Sequence, residues 1–155
     1  MSVTRVVFMC GPAGSGKSTY ARALERQGLV RLSFDEEAWR RGIRMQPLSN
    51  DAHEEIEHDL RARLIELVRA GTDVVLDFSF WFRAMRDAYR GLLRPWGVEP
   101  ETVYLATPRH IVLDRVRRRP DDHPGDVRLP EGVAERYFDH FEVPTAGEGP
   151  LTVVT

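Results

Sequence analysis

The sequence predicts an α/β fold in which a parallel, doubly wound sheet of five strands carries helices on both faces. Three observations predict it. Strand-sized apolar runs alternate with helix-patterned segments in the order β-α-β-α-β-α-β-α-β. The run "DVVLDFS" at 73–79 is apolar at successive positions, as a strand buried on both faces requires. The first strand breaks into "GPAGSGKST", a glycine-rich turn that leads straight into a helix. With 155 residues, a net charge of −2 and 42% hydrophobic residues, the chain is sized for a single domain over 1–155 with a core of its own.

The elements follow in order. A strand at 3–10 runs through Val6, Val7, Phe8, Met9 and Cys10. That lone cysteine excludes an internal disulfide and reads as a small buried apolar residue. A helix over about 17–27 ends at Gly28, and "LVRLS" at 29–33 is a short second strand. Asp35 opens an irregular helix to about 44, with a break at Pro47. Ser49 or Asn50 can cap a long helix to about 70, whose Ile56, Leu60, Leu64, Leu67 and Val68 share one face. Gly71 closes it, and the third strand at 73–79 precedes a helix over 82–94 that stops at Pro95. "ETVYLAT" at 101–107 is the fourth strand, and Pro108 starts the helix "RHIVLDRV". That helix runs into "RRRPDDHPGDVRLP", where Pro120, Pro124, Gly125 and Pro130 suit a short closing lid over about 115–130. A helix at about 130–141 and a last strand in "PLTVVT" complete the chain.

The chemistry sits at strand ends. Gly11, Gly16, Lys17 and Ser18 fit G-x-x-x-x-G-K-[ST] without a mismatch. In the stretch Gly11, Pro12, Ala13, Gly14, Ser15, Gly16, Lys17, Ser18 and Thr19, the glycines let successive N–H groups turn inward on phosphate oxygens. The following helix aims its positive end at the same anion. Lys17 reaches the β- and γ-phosphates and the Ser18 hydroxyl suits Mg²⁺, so ATP with magnesium is the expected ligand. Guanine-specific switches carry D-x-x-G and N-K-x-D, which this chain lacks, and a ring ATPase needs more length. A small kinase remains. Asp35, just past the second strand, stands where an acceptor hydroxyl needs a carboxylate to orient it and take its proton. Asp77 ends the strand "VVLD", the place from which an acid holds magnesium through water and bonds the loop serine. Arg115 and Arg119, four apart, share a helix face that can overlook the nucleotide, where an arginine neutralises charge on the transferring phosphate. Trp39 and one or two of Phe78, Phe80, Trp81 and Phe82 could wall an acceptor pocket, the rest being core. His53 and His58 are five apart, about 140° around a helix, so they do not form the H-E-x-x-H metal pair and read as exposed.

These blocks together resemble the small phosphate-loop kinases grouped with the kinase domain of phage polynucleotide kinase, chloramphenicol phosphotransferase and the zeta-toxin kinases, an AAA-type ATP-binding kinase group. The resemblance rests on "GPAGSGKST", "SFDEEAW", "VVLDFSFWFRAMRDAYRGLL", "PRHIVLDRVRRR" and "YFDHFEVP", and spans nearly the whole chain. It implies a three-layer P-loop sandwich of nucleoside-kinase-like topology. It further implies that Asp35 matches the general base, that Arg119 matches an ATP-phosphate arginine, and that Arg115 stacks on the adenine. Arg83 or Arg86 would match an arginine in the helix after the third strand. The chain departs from polynucleotide kinase at Ala38, where that enzyme carries a phosphate-gripping arginine; Arg40 and Arg41 lie nearby.

The expected activity is transfer of the γ-phosphate of ATP to a hydroxyl of a small molecule, such as a metabolite, nucleoside, sugar derivative or antibiotic. Two alternatives stay open: a nucleic-acid 5′-hydroxyl kinase, and an ATP-binding regulator with no acceptor. Ala38 and the absence of a basic surplus disfavour nucleic acid. No apolar run is long enough for a membrane span and no signal-like leader is present, so a cytoplasmic placement is expected.

Overall fold

Five runs become strands hydrogen-bonded into one sheet. They are β1 (Val6–Cys10), β2 (Val30–Ser33), β3 (Val74–Asp77), β4 (Glu101–Leu105) and β5 (Leu151–Val154). Strands β1 and β3 are buried along their whole length, whereas the edge strand β5 stays partly exposed. The computed structural model describes residues 4–44, 48–118 and 130–155. The strands form one parallel sheet in the order β2-β3-β1-β4-β5. Helix α1 (Lys17–Arg26) connects β1 to β2, and α2 (Phe34–Arg40) with α3 (Asn50–Arg69) connects β2 to β3. Helix α4 (Arg83–Leu93) and a 3₁₀ turn (Arg94–Trp96) lead to β4; α5 (Arg109–Arg118), α6 (Glu131–Asp139) and a second 3₁₀ turn (Ala146–Glu148) lead to β5. The architecture is the α/β layered sandwich that the alternation predicts.

All five residues of β1 are buried, and they alternate between two cores. Val6, Phe8 and Cys10 pack toward Ile56, Leu60 and Leu64 of α3 and Tyr89 and Leu93 of α4. Val7 and Met9 pack toward Ala21 and Leu24 of α1. Each large side chain removed from water this way contributes about 1.5–3 kcal/mol before the entropy of ordering it. Strand β1 lies between β3 and β4; the chain leaves it for the β2–β3 side and then crosses to β4 on the other, which opens a crevice at the carboxyl ends of β1 and β3. The pairing of Phe8 with Leu76 brings the loop after β1 beside the residues that end β3. Among the described residues, no helix is long and apolar enough to cross a membrane.

Two expectations are corrected. Helix α2 stops at Arg40 rather than near 44, because Gly42 turns left-handed (φ +88°) and the N–H of Ile43 bonds back to the Ala38 carbonyl. Helix α2 begins at Phe34 rather than Asp35 and is capped by Ser33, whose hydroxyl accepts from the Glu36 N–H. Helix α4 ends at Leu93, just before the expected stop at Pro95. Pro95 sits in the first turn of the 3₁₀ segment, where its missing N–H costs nothing. Ser49 caps α3 as expected, accepting from the Ala52 N–H.

Candidate active site

The glycine-rich turn has the backbone that its sequence requires. Gly14 (φ +86°) and Gly16 (φ +99°) lie in the left-handed region, and Gly16 caps α1. A Cβ on Gly14 would come within 2.7 Å of the Val112 carbonyl oxygen, so α5 is docked directly against the turn. Gly11 N–H donates to the Ser79 carbonyl at 3.0 Å, tying the turn to the residues after β3. Thr107 Oγ1 donates to the Ser15 carbonyl at 2.7 Å, tying it to those after β4. Arg115 Nη1 donates to the Gly14 carbonyl at 3.2 Å, so this arginine lies on the turn itself.

Asp77 and Ser18 meet. The Ser18 hydroxyl donates to Asp77 Oδ2 at 3.0 Å. The same oxygen accepts from Arg31 Nε at 3.1 Å and Nη2 at 2.8 Å, while Arg31 Nη1 reaches Glu36 at 2.6 Å. Burial alone would weaken the Arg31 charge, but Asp77 and Glu36 hold the guanidinium more firmly protonated than usual. The other carboxylate oxygen, Asp77 Oδ1, is buried without a hydrogen-bond partner among the described residues. An orphaned carboxylate oxygen beside a hydroxyl and a phosphate-type turn fits a hydrated Mg²⁺. Among the described residues no group of three or more His, Cys, Asp or Glu could hold a metal alone, so that ion would arrive with phosphates.

A cleft of about 190 Å³ joins this corner to Asp35. Pro12, Ala13, Lys17, Ser18 and Asp77 line it together with Asp35, Phe34, Phe78, Trp81 and Tyr137. His53 also borders it, 4.9 Å from the Phe34 ring, although its side chain is about half exposed. The spacing that excludes a metal pair gave no sign of this placement. The Tyr137 phenol is raised above its usual range by burial, with the Asp35 charge adding to the effect and Arg136 opposing it.

The wall after β3 rests on an unusual turn. Ser79 (φ +70°) and Phe80 (φ +50°) are consecutive non-glycine residues in the left-handed region. Arg86 fixes this turn, its Nη1 donating to the Phe80 carbonyl at 2.7 Å and to the Glu142 carbonyl at 2.9 Å. Its Nε bonds Glu148 at 2.8 Å, and both side chains are almost fully buried. The Arg86 charge is therefore spent inside the molecule. Arg83, Arg40 and Trp39 also stand off the cleft. Arg83 is exposed beside Asp87, Arg40 pairs with Glu37 and Glu36, and Trp39 stacks under Arg44. Phe80 belongs to the core, stacked on Phe8, and Phe82 is exposed. Cys10 is buried, and burial pushes its thiol up to about 12. Arg119 and most of the expected lid fall outside the described residues. Arg31, Tyr137 and Phe141 were missed in the sequence; the signal for Arg31 was a charge inside a buried strand.

Comparison with known proteins gives a consistent picture. A family model described as "AAA domain" matches residues 6–144. No functionally curated protein matches the chain. Among solved structures, a sugar kinase from Janibacter sp. HTCC2649 is 22% identical with a TM-score of 0.69, covering 97% of this chain and 84% of that one. A gluconokinase from Sinorhizobium meliloti 1021 is 22% identical with a TM-score of 0.66, covering 99% and 83%. A chain of the Pnkp1/Rnl/Hen1 RNA repair complex is 19% identical with a TM-score of 0.75, covering 90% of this chain but 44% of its own. At these identities the likeness carries the fold, which is that of small P-loop kinases.

Proposed function

The chain belongs to the AAA-domain family, matched from 6 to 144, and on that premise we propose that it is an ATP-dependent phosphotransferase acting on a small-molecule hydroxyl. One observation carries the reading: Lys17, Ser18, Asp77 and Asp35 line a single cleft. The turn Gly11–Thr19 with Lys17 holds the triphosphate, and α1 adds its positive end. Ser18 and, through water, Asp77 would hold Mg²⁺, which supplies charge neutralisation on the phosphates. Asp35 orients the acceptor hydroxyl and takes its proton. The acceptor oxygen forms a bond to the γ-phosphorus, the bond from that phosphorus to the β–γ bridging oxygen breaks, and ADP leaves with the electron pair. Arg115, already on the turn, and Arg119, four residues further along the sequence, are assigned to the phosphates in a lid over 115–130 of one 1–155 kinase domain. Docking at the loop supports the first of these.

The test is a screen of hydroxyl compounds with ATP and Mg²⁺, read by a mass gain of one phosphate. Asp35→Asn is expected to keep ATP affinity and lower acceptor phosphorylation about 10²-fold or more. If no hydroxyl compound gains phosphate and slow ATP hydrolysis ignores Asp35→Asn, the protein is an ATP-binding regulator instead.

A further inference from the structure

The Asp77 carboxylate is held on one oxygen only, by a residue that stands outside the cleft. Arginine frequently meets a carboxylate fork to fork, with two parallel N–H bonds that engage both oxygens. Here the two donors facing Asp77, Arg31 Nε at 3.1 Å and Nη2 at 2.8 Å, converge on Oδ2. The Ser18 hydroxyl donates to that oxygen as well, at 3.0 Å. Three donors thus load one oxygen, while Oδ1 is buried with no partner among the described residues. A buried oxygen left so costs stability unless a water or an ion engages it. The third guanidinium nitrogen, Nη1, is drawn to Glu36 at 2.6 Å, so the fork is anchored at both ends and held back from covering Oδ1. We infer that Arg31 is a positioning residue that keeps Asp77 Oδ1 open for the magnesium shell; this rests on the Mg²⁺–ATP part of the phosphotransferase reading.

The placement follows from the strand period. In the β2–β3 ladder Arg31 sits opposite Val75 and Asp77 opposite Ser33, so the Arg31 and Asp77 side chains leave the same face one diagonal apart. On that face Val75 packs with Ala21 and Leu24 of α1, the helix that begins with Lys17 and Ser18. A guanidinium whose side chain is 5% exposed carries a large desolvation cost there. An apolar pair of similar volume is often as stable as a buried ion pair, so stability alone gives no reason for the charge. Holding an acid that must stay available to a metal does give one. Ser18 gains from the same arrangement, because a hydroxyl that donates its proton to Asp77 keeps its oxygen lone pairs for a cation. Arg31 is absent from the lining of the cleft, so it acts through Asp77 rather than on the substrates.

The test titrates the full chain with a fluorescent ATP analogue, N-methylanthraniloyl-ATP, once with Mg²⁺ and once with EDTA. The ratio of the two dissociation constants separates the metal's contribution from that of the loop. Arg31→Lys keeps the positive charge, but one ammonium does not reproduce a planar fork that puts two donors on Oδ2 and a third on Glu36. The variant should match wild type in EDTA and lose most of the gain from Mg²⁺, on the order of tenfold, the scale of a lost outer-shell partner. Glu36→Gln, at a nearly half-exposed side chain, should lose a smaller part of it. Arg63→Met, exposed on α3, should lose none. With Mn²⁺ in place of Mg²⁺ and the analogue bound, the EPR spectrum of the metal should change in Arg31→Lys and stay as wild type in Arg63→Met. A full Mg²⁺ gain in Arg31→Lys overturns the assignment, and so does an equal loss of affinity with Mg²⁺ and with EDTA, which marks a structural role alone. Should Arg31→Lys fail to fold, Glu36→Gln decides, and an undiminished gain there overturns it. A wild-type chain whose affinity ignores Mg²⁺ overturns the assignment together with the metal corner. If the metal results come out as expected and no hydroxyl compound takes phosphate, the transferase reading fails and the role of Arg31 stands.

Discussion

At the scale of single residues, the pairing of Arg31 with Asp77 decides how the metal corner is built. Their side chains are 5% and 2% exposed, so each carries a charge that the other must compensate. Removing one partner of such a pair costs about 3–5 kcal/mol, because the survivor is left buried and alone. Arg31→Met should lose stability on that scale in urea unfolding. The double variant Arg31→Met/Asp77→Asn should recover much of the loss, since the two sites are directly coupled. Additive losses would show that Glu36 rather than Asp77 is the main partner. Lys17, Ser18 and Asp77 were legible in the sequence because a phosphate turn and an acid at a strand end are local patterns. Arg31 was not, because its partner lies 46 positions away and is reached diagonally across the β2–β3 pairing, where Arg31 sits opposite Val75 and Asp77 opposite Ser33.

At the scale of elements, the turn after β3 and the 3₁₀ turn before β5 are fastened to each other. Arg86 bonds the carbonyls of Phe80 and Glu142 and the carboxylate of Glu148, while Glu148 also accepts from the Thr145 N–H and from Arg90. Burial works against the Glu148 carboxylate, yet Arg86, the Thr145 N–H and Arg90 hold it well down, to about 2 from an ordinary 4.5. A carboxyl depressed in the folded state stabilises fully above its unfolded value, and that contribution drains away as pH falls from 4.5 toward 2. Wild-type stability should therefore drop steeply across this window. Glu148→Gln should be less stable at neutral pH and flatter below 4.5, as followed by urea midpoints at a series of pH values. The resemblance matches Arg83 or Arg86 to an arginine in the helix after the third strand. An arginine is equally at home in a buried cluster when three elements supply its acceptors, and those acceptors lie up to 62 positions distant.

Across the whole molecule, ligand binding and folding are one equilibrium. The loop after β1 is bonded to the residues after β3 and β4, so occupying it braces the centre of the sheet. ATP with Mg²⁺ at a hundred times its dissociation constant should add about 2.7 kcal/mol. For a chain of this size that is a rise in Tm on the order of 5–10 °C. Lys17→Ala should abolish most of the rise in a thermal scan, and a full rise in that variant would remove the loop from the binding site. At this scale the sequence was most informative: five parallel strands and their helices follow from alternating periodicity, which samples the whole chain. The aromatic wall was less legible, because Tyr137 and Phe141 reach the cleft only through the packing of α6, which no local pattern encodes.

The left-handed pair Ser79–Phe80 has a consequence for what selection could do with this molecule. A non-glycine residue held there costs on the order of 1–3 kcal/mol, a cost that Gly would relieve at either position, less the freedom Gly gains in the unfolded chain. A lineage favoured only for survival at high temperature would drift toward glycine at Ser79. It would gain persistence and slacken the turn that fixes Trp81 and receives the Gly11 N–H. Heat tolerance and a ready cleft therefore pull this two-residue stretch in opposite directions.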